Sequence, residues 1–154
     1  MAQCAQRYGY NPEIILAGRR MNDGMGEYVG SQCVKLMLKK GLQALGSHVL
    51  IMGFSFKENC PDVRNTKVID IYNSLMEYNV AITVYDPWVP PDTVKHEYGI
   101  DVVTQLPVEK YDAAIVAVAH SAFKEFDVRS ILNPVHVIYD VKALLDPAIV
   151  DGRL

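Results

Sequence analysis

Between residues 48 and 140 the chain repeatedly breaks into short, unbroken apolar runs separated by polar loops and amphipathic stretches, and this alternation constrains the fold more than any other feature. His48-Val49-Leu50-Ile51-Met52-Gly53-Phe54 is apolar on consecutive residues and flanked by glycine, the pattern of a strand buried on both faces. Residues 81–85 form a second such run, stopped by Asp86-Pro87, and residues 113–119 form the most apolar of all, a central strand. Residues 135–140 supply a further strand and residues 100–103 a short one. Between them lie helical patterns: Val68, Ile69, Ile71, Tyr72, Leu75 and Met76 on one side of a segment running to about 79, a short helix over 93–98, and another over 123–132. Strand and helix alternating at this spacing predict a parallel sheet with helices on both faces, an α/β, open, doubly wound, Rossmann-like fold. Ligands of such folds sit beyond the carboxyl ends of the strands, where strand order reverses. The loops after Phe56, Tyr85, Ala119 and Asp140 are therefore the ones to search.

Residues 1–45 have a different character. Tyr10-Asn11-Pro12-Glu13 offers a helix start, and Ile14, Ile15, Leu16, Met21, Met25, Tyr28, Val29, Cys33, Leu36, Met37 and Leu38 recur at threes and fours. Glycines 18, 24, 26 and 30 leave open whether this is one helix or two joined at Asn22-Asp23-Gly24; Lys39-Lys40-Gly41 marks its end. The expected division is a helical segment over 1–45 and a Rossmann-like domain over 46–154. A net charge of −3 argues against a nucleic-acid partner, which usually requires a basic face, and leaves room for a local basic patch suited to a single anionic ligand. Its three cysteines are an odd number without a C-x-x-C pair, which suits a reducing compartment better than a disulfide scaffold or a zinc site. The opening residues are polar where a secretory signal would be apolar, and no run is long enough to cross a bilayer, so a cytoplasmic protein without a membrane partner is expected.

The loop after the first strand runs from Gly53 through Lys57 and Asp62 to Arg64 and Thr66. A strand leading through such a loop into a helix can present backbone N–H groups and a positive helix end to an anion, and Lys57 and Arg64 add charge. Only Gly53 of a G-x-G-x-x-G turn is present, however, so NAD is not expected here. Taken alone, Lys57 reads more readily as a solvated lysine, Phe56 as core, and Asp62 with Arg64 as a structural pair. Asp86 is open to a ribose-binding role or to that of a turn former before Pro87.

The strings Gly53-Phe54-Ser55-Phe56-Lys57 and Asp62-Val63-Arg64-Asn65-Thr66 resemble the G-x-x-F-K-x-x-x-x-D-x-R-x-[ST] signature of the UDP-glucose/GDP-mannose dehydrogenase family. Tyr85-Asp86-Pro87, Tyr111-Asp112-Ala113, His120-Ser121 with Phe123, and Tyr139-Asp140-Val141-Lys142 follow in the order of that family. Upstream, Gly9-Tyr10-Asn11-Pro12 and residues 17–23 resemble the end of its central helical region, in the branch oxidising UDP-N-acetylhexosamines. The resemblance implies the UDP-sugar-binding C-terminal domain of an NAD-dependent 6-dehydrogenase, with a homodimer formed through the N-terminal helix. It implies that Phe56 packs on the nucleotide sugar, that Lys57 and Lys142 contact it, and that Gly53 and Asp62 shape the loop, with Arg64 a second-line ligand. NAD would be held by another domain.

The family's catalytic cysteine stands in a G-x-C-[IL]-x-x-D-P stretch, a form absent here. Cys4 falls in the helix that follows that stretch, Cys33 reads as a small buried hydrophobe, and Cys60 has no neighbouring base. No catalytic residue and no metal site are expected, and the chain alone should be inactive. His120 is the histidine best placed to meet a ligand, although a turn with Ser121 is the plainer role. The contrasting reading is a non-catalytic α/β dimerisation or regulatory module that keeps no ligand.

Overall fold

The computed structural model describes residues 13–154; the helix start at Tyr10-Asn11-Pro12 and the position of Cys4 lie outside the described residues. The elements are α1 (Glu13–Lys39), β1 (His48–Met52), α2 (Val68–Met76), β2 (Ala81–Tyr85), α3 (Pro91–Tyr98), β3 (Val102–Val103), β4 (Tyr111–Val116), β5 (Leu132–Asp140) and β6 (Gly152–Arg153). Six strands form one sheet in the order β3-β2-β1-β4-β5-β6, and every pairing is parallel. The chain walks outward from β1 to β3, returns, and walks outward the other way from β4, so strand order reverses between β1 and β4.

Both faces of the sheet are covered, which is why β1 and β4 are apolar on consecutive residues rather than alternating. On one face Val49, Ile51, Ala113, Ile115 and Val137 meet Val29, Cys33 and Met37 of α1, Ile71 and Leu75 of α2 and Val94 of α3. On the other, Leu50, Met52, Ala114, Val116 and Ile138 meet Phe123, Val128 and Leu145. The helix expected over 123–132 is absent. Two 3₁₀ turns, Ser121–Phe123 and Val128–Ile131, stand there instead, because the Asp127 side chain accepts the Arg129 N–H and starts a fresh turn. Among the described residues all three α-helices therefore lie on one face, and turns cover the other. The doubly wound topology is unchanged, since right-handed crossovers still send the two halves of the chain to opposite faces.

Several strand limits also differ from expectation: β4 runs over Tyr111–Val116 rather than 113–119, and β3 takes only Val102–Val103 of 100–103. β5 begins at Leu132, ahead of Pro134, whose missing N–H is tolerated because the pairing with β4 shifts register between Tyr111 and Ala113. β6 is too short to leave a hydrophobic signature. The α1 question resolves to a single continuous helix. Gly26 and Gly30 face α2: a Cβ at Gly26 would collide with Asp70, and one at Gly30 would come within 2.5 Å of Ser74 Oγ. The seam is closed further by Lys67 Nζ on Asp23 at 2.8 Å and Ser74 Oγ donating to the Glu27 carbonyl at 3.3 Å. No helix among the described residues is long and apolar enough to cross a membrane.

Candidate functional site: a cleft at the strand tips

A cleft of about 340 Å³ opens at the carboxyl ends of β1, β4 and β5, where strand order reverses. Ser55, Phe56, Lys57 and Glu58 line it from the loop after β1, Ala117 and Val118 from the end of β4, and Val141 and Lys142 from the turn after β5. Thr66, Lys67 and Val68 form its floor at the start of α2. Asn22, Met25, Gly26 and Val29 of α1 complete a wall that the sequence had given no reason to expect.

Backbone geometry begins the site at Gly53. Its φ is +93°, and a Cβ there would lie 2.5 Å from Val118 Cβ and 3.0 Å from the Val118 amide nitrogen, so only glycine lets the two strand ends lie together. The chain then enters a loop whose shape is fixed by a buried polar network. Asp86, fully buried at the end of β2, accepts from the Phe54 and Ser55 amides on Oδ2 at 2.7 and 3.0 Å. Its Oδ1 accepts from the Trp88 and Val89 amides at 2.8 and 3.3 Å. His120, also fully buried, places Nε2 2.9 Å from Asp86 Oδ2. Its Nδ1 accepts the Asn59 amide N–H at 2.9 Å. Burial pushes the Asp86 carboxyl up, but the bonds from His120, Phe54, Trp88 and Ser55 outweigh it and hold the group below its ordinary value. With Asp86 occupied in this way, the ribose-reading role is excluded and the turn-forming one stands.

Of the residues singled out from sequence, Phe56, Lys57 and Lys142 meet in the cleft. Phe56 is exposed at 59%, an unusual position for a large aromatic ring. Neither Lys57 nor Lys142 makes an ion pair with a described residue, whereas Lys67 is engaged by Asp23 and Asp70. The cleft thus presents two uncommitted cations from opposite halves of the sheet, beside an exposed ring. Arg64 does not line it: the guanidinium, 76% exposed, forks onto Asp62 through Nε and Nη2 at 2.9 and 2.7 Å. Those bonds hold the Asp62 carboxyl down at about 2. The Asp62 carbonyl in turn accepts the Phe56 amide at 2.7 Å, tying the loop's two arms together. Cys60 is half-buried in this loop, and burial pushes the Cys33 thiol up to about 12.

Residues 50–147 match the model of the UDP-glucose/GDP-mannose dehydrogenase family UDP binding domain. The chain belongs to this family. It is 54% identical over 153 residues to the UDP-N-acetyl-D-glucosamine 6-dehydrogenase of Pseudomonas aeruginosa, covering 97% of this chain and 36% of that protein. It is 50% identical to the enzyme of the same name from Salmonella typhi over the same shares. The chain thus spans about a third of the length of these curated relatives. Among solved structures, a UDP-glucose dehydrogenase from Pyrobaculum islandicum superposes with a TM-score of 0.79 at 20% identity, over 99% of this chain and 34% of that one. An NDP-N-acetyl-D-galactosaminuronic acid dehydrogenase from Methanosarcina mazei gives 0.76 at 24%, over 89% and 30%. At such identities these two speak for the fold. Within the family's UDP binding domain, the network of Asp86, His120 and Asn59 was the part missed from sequence. Asp86 and His120 were each noticed at a strand end, but nothing in their spacing paired them.

Proposed function

We propose that this chain is the nucleotide-sugar-binding part of an NAD-dependent UDP-N-acetylhexosamine 6-dehydrogenase, holding the UDP half of the substrate in the strand-tip cleft. The observation that carries the reading is the meeting of Phe56, Lys57 and Lys142 in one cleft at the switch point. Phosphate oxygens are strong acceptors for ammonium donors, and an exposed aromatic ring suits the flat face of a base or the apolar face of a sugar. Gly53 and Asp62 shape the loop in this reading, and Arg64 acts through Asp62. The whole enzyme would oxidise UDP-N-acetylglucosamine or its galactose epimer to the uronic acid, using NAD held outside this chain. Two features favour that division: the occupied carboxylate of Asp86 and the filled space at Gly53.

The reading includes a cytoplasmic protein and a homodimer formed through α1, supported by Met21, Tyr28 and Leu38, which α1 exposes. Calorimetric titration tests the ligand. UDP and UDP-N-acetylglucosamine should bind, Lys57→Ala should weaken binding about tenfold, and NAD should give no heat. Preferential binding of NAD would overturn the assignment. Mixing chain, UDP-sugar and NAD should produce no NADH absorbance, and light scattering should give a dimer mass.

A further inference from the structure

Beside the cleft but not among its lining residues, Asp86 and His120 form a fully buried acid–imidazole pair. We infer that His120 is a positioning residue, locked by Asp86 as its neutral Nε2–H tautomer so that Nδ1 can hold the Asn59 amide and fix the loop that turns Phe56 and Lys57 into the cleft. The inference rests on the reading of the cleft as a nucleotide-sugar site.

The proton arrangement follows from the donors. A backbone amide can only donate, so Nδ1, 2.9 Å from the Asn59 nitrogen, must be the bare acceptor nitrogen. The single ring hydrogen then sits on Nε2 and is given to Asp86 Oδ2 at 2.9 Å. The Ser55 hydroxyl, 3.2 Å from the same nitrogen, donates its own hydrogen to the Lys57 carbonyl at 2.9 Å. From the remaining side, the Phe123 ring meets the imidazole edge-on with centroids 5.2 Å apart. Asp86 is thus the charged group that His120 faces, while Lys57 and Glu58 are exposed and line the cleft.

The bond to Asn59 matters because of where it falls. Asn59 has a φ of +54°, a left-handed conformation that asparagine adopts more readily than most residues, and it sits in the turn that follows Phe56 and Lys57. Its own side chain accepts from the Ser121 amide and hydroxyl at 3.0 and 2.9 Å. The loop is therefore pinned at this turn by consecutive residues, His120 and Ser121, and at its root by Asp86. Lysine and phenylalanine side chains projecting from a loop held at three points enter the cleft already oriented, which lowers the ordering cost of binding.

Two substitutions separate positioning from plain stabilisation. His120→Asn places an amide oxygen near Nδ1, able to accept from Asn59, and withdraws the donor from Asp86. His120→Gln places an amide N–H near Nε2, able to donate to Asp86, and withdraws the acceptor from Asn59. The inference requires affinity and stability to rank oppositely. His120→Asn should be the less stable in urea yet bind UDP-N-acetylglucosamine within about threefold of wild type, and His120→Gln should be the more stable yet bind about tenfold more weakly. If affinity follows stability, His120 is structural only and the inference fails. A second measurement needs neither ligand nor variant. The nitrogen-15 ring resonances of His120 in the wild-type chain should show a bare Nδ1 and a protonated Nε2, and the Asn59 amide should exchange slowly. The opposite tautomer would overturn the inference even if the asparagine variant failed to fold. Absence of UDP-N-acetylglucosamine binding to a wild-type chain with the right tautomer would instead refute the proposed function and leave the loop lock standing.

Discussion

The seam between α1 and α2 and the loop after β1 both bring backbone into close approach through glycine, but they are held by opposite means. At the seam, Gly26 and Gly30 leave out side chains so that α2 can settle against α1, and the polar contacts there, Lys67 with Asp23 and Ser74 with Glu27, are exposed or half-buried. At the loop, Gly53 makes a similar approach to Val118, yet the shape beyond it depends on buried hydrogen bonds converging on Asp86 and His120. Close packing of small residues can relax by fractions of an ångström when disturbed. A buried network cannot relax in that way, because each lost acceptor leaves donors with neither partner nor water. The seam should therefore yield gradually and the loop all at once.

The largest expected effect breaks the loop. Asp86→Ala leaves four backbone amides and His120 without an acceptor and should cost about 3–5 kcal/mol in urea denaturation, with loss of UDP binding. A cost under about 1 kcal/mol would show that the loop is held elsewhere. The pH dependence has a definite sign. Since the folded Asp86 carboxyl is held below its ordinary value, its contribution is complete above the unfolded carboxylate pKa and is lost as pH falls through the depressed folded one. Asp86→Asn should flatten that acid limb.

Glycine substitutions then sharpen the contrast. Gly53→Ala must accept both a φ of +93° and a clash with Val118, and should cost about 2–4 kcal/mol. Gly26→Ala, which drives a methyl into Asp70, should cost about 1–3 kcal/mol even after the gain in helix propensity. Gly24→Ala, on the same helix with nothing within 4 Å, should instead stabilise by up to about 1 kcal/mol. Thermal unfolding of the three variants side by side would expose any error in the order. The smallest effect belongs to the exposed Asp62–Arg64 pair. Its carboxyl should titrate at about 2 by carbon-13 NMR and return toward the ordinary aspartate value in Arg64→Ala, with little change in stability.

These contrasts also mark what could be read in advance. The three glycines Gly24, Gly26 and Gly30 look alike in the sequence, where each only weakens a helical pattern; the partner helix gives two of them a purpose. Phe56 and Lys57 were legible because a strand-to-helix loop of this family carries them in a fixed string. Lys142 was legible only through the family's string of an acid and, two residues on, a basic residue after the last strand. Asn22 and Met25 were not, since a cleft wall supplied by α1 depends on how that helix docks against the sheet. The missing helix over 123–132 shows the same limit in reverse: its apolar residues fit a helical period, and the Asp127 cap that divides it is a local contact that periodicity does not register.

By itself the sequence determined a parallel α/β sheet, the position of its main strands and the loop that brings Phe56 and Lys57 to the strand tips. Runs of consecutive apolar residues have few ways to bury themselves, and glycine, proline and charged residues end those runs locally. The tertiary structure alone decided the pairing of Asp86 with His120, the hold of His120 on Asn59 and the third wall of the cleft. Those contacts join residues 34 and 61 positions apart in the chain, and no local preference encodes them. They exist because sheet order brings three strand ends together and the buried polar groups found there must satisfy one another.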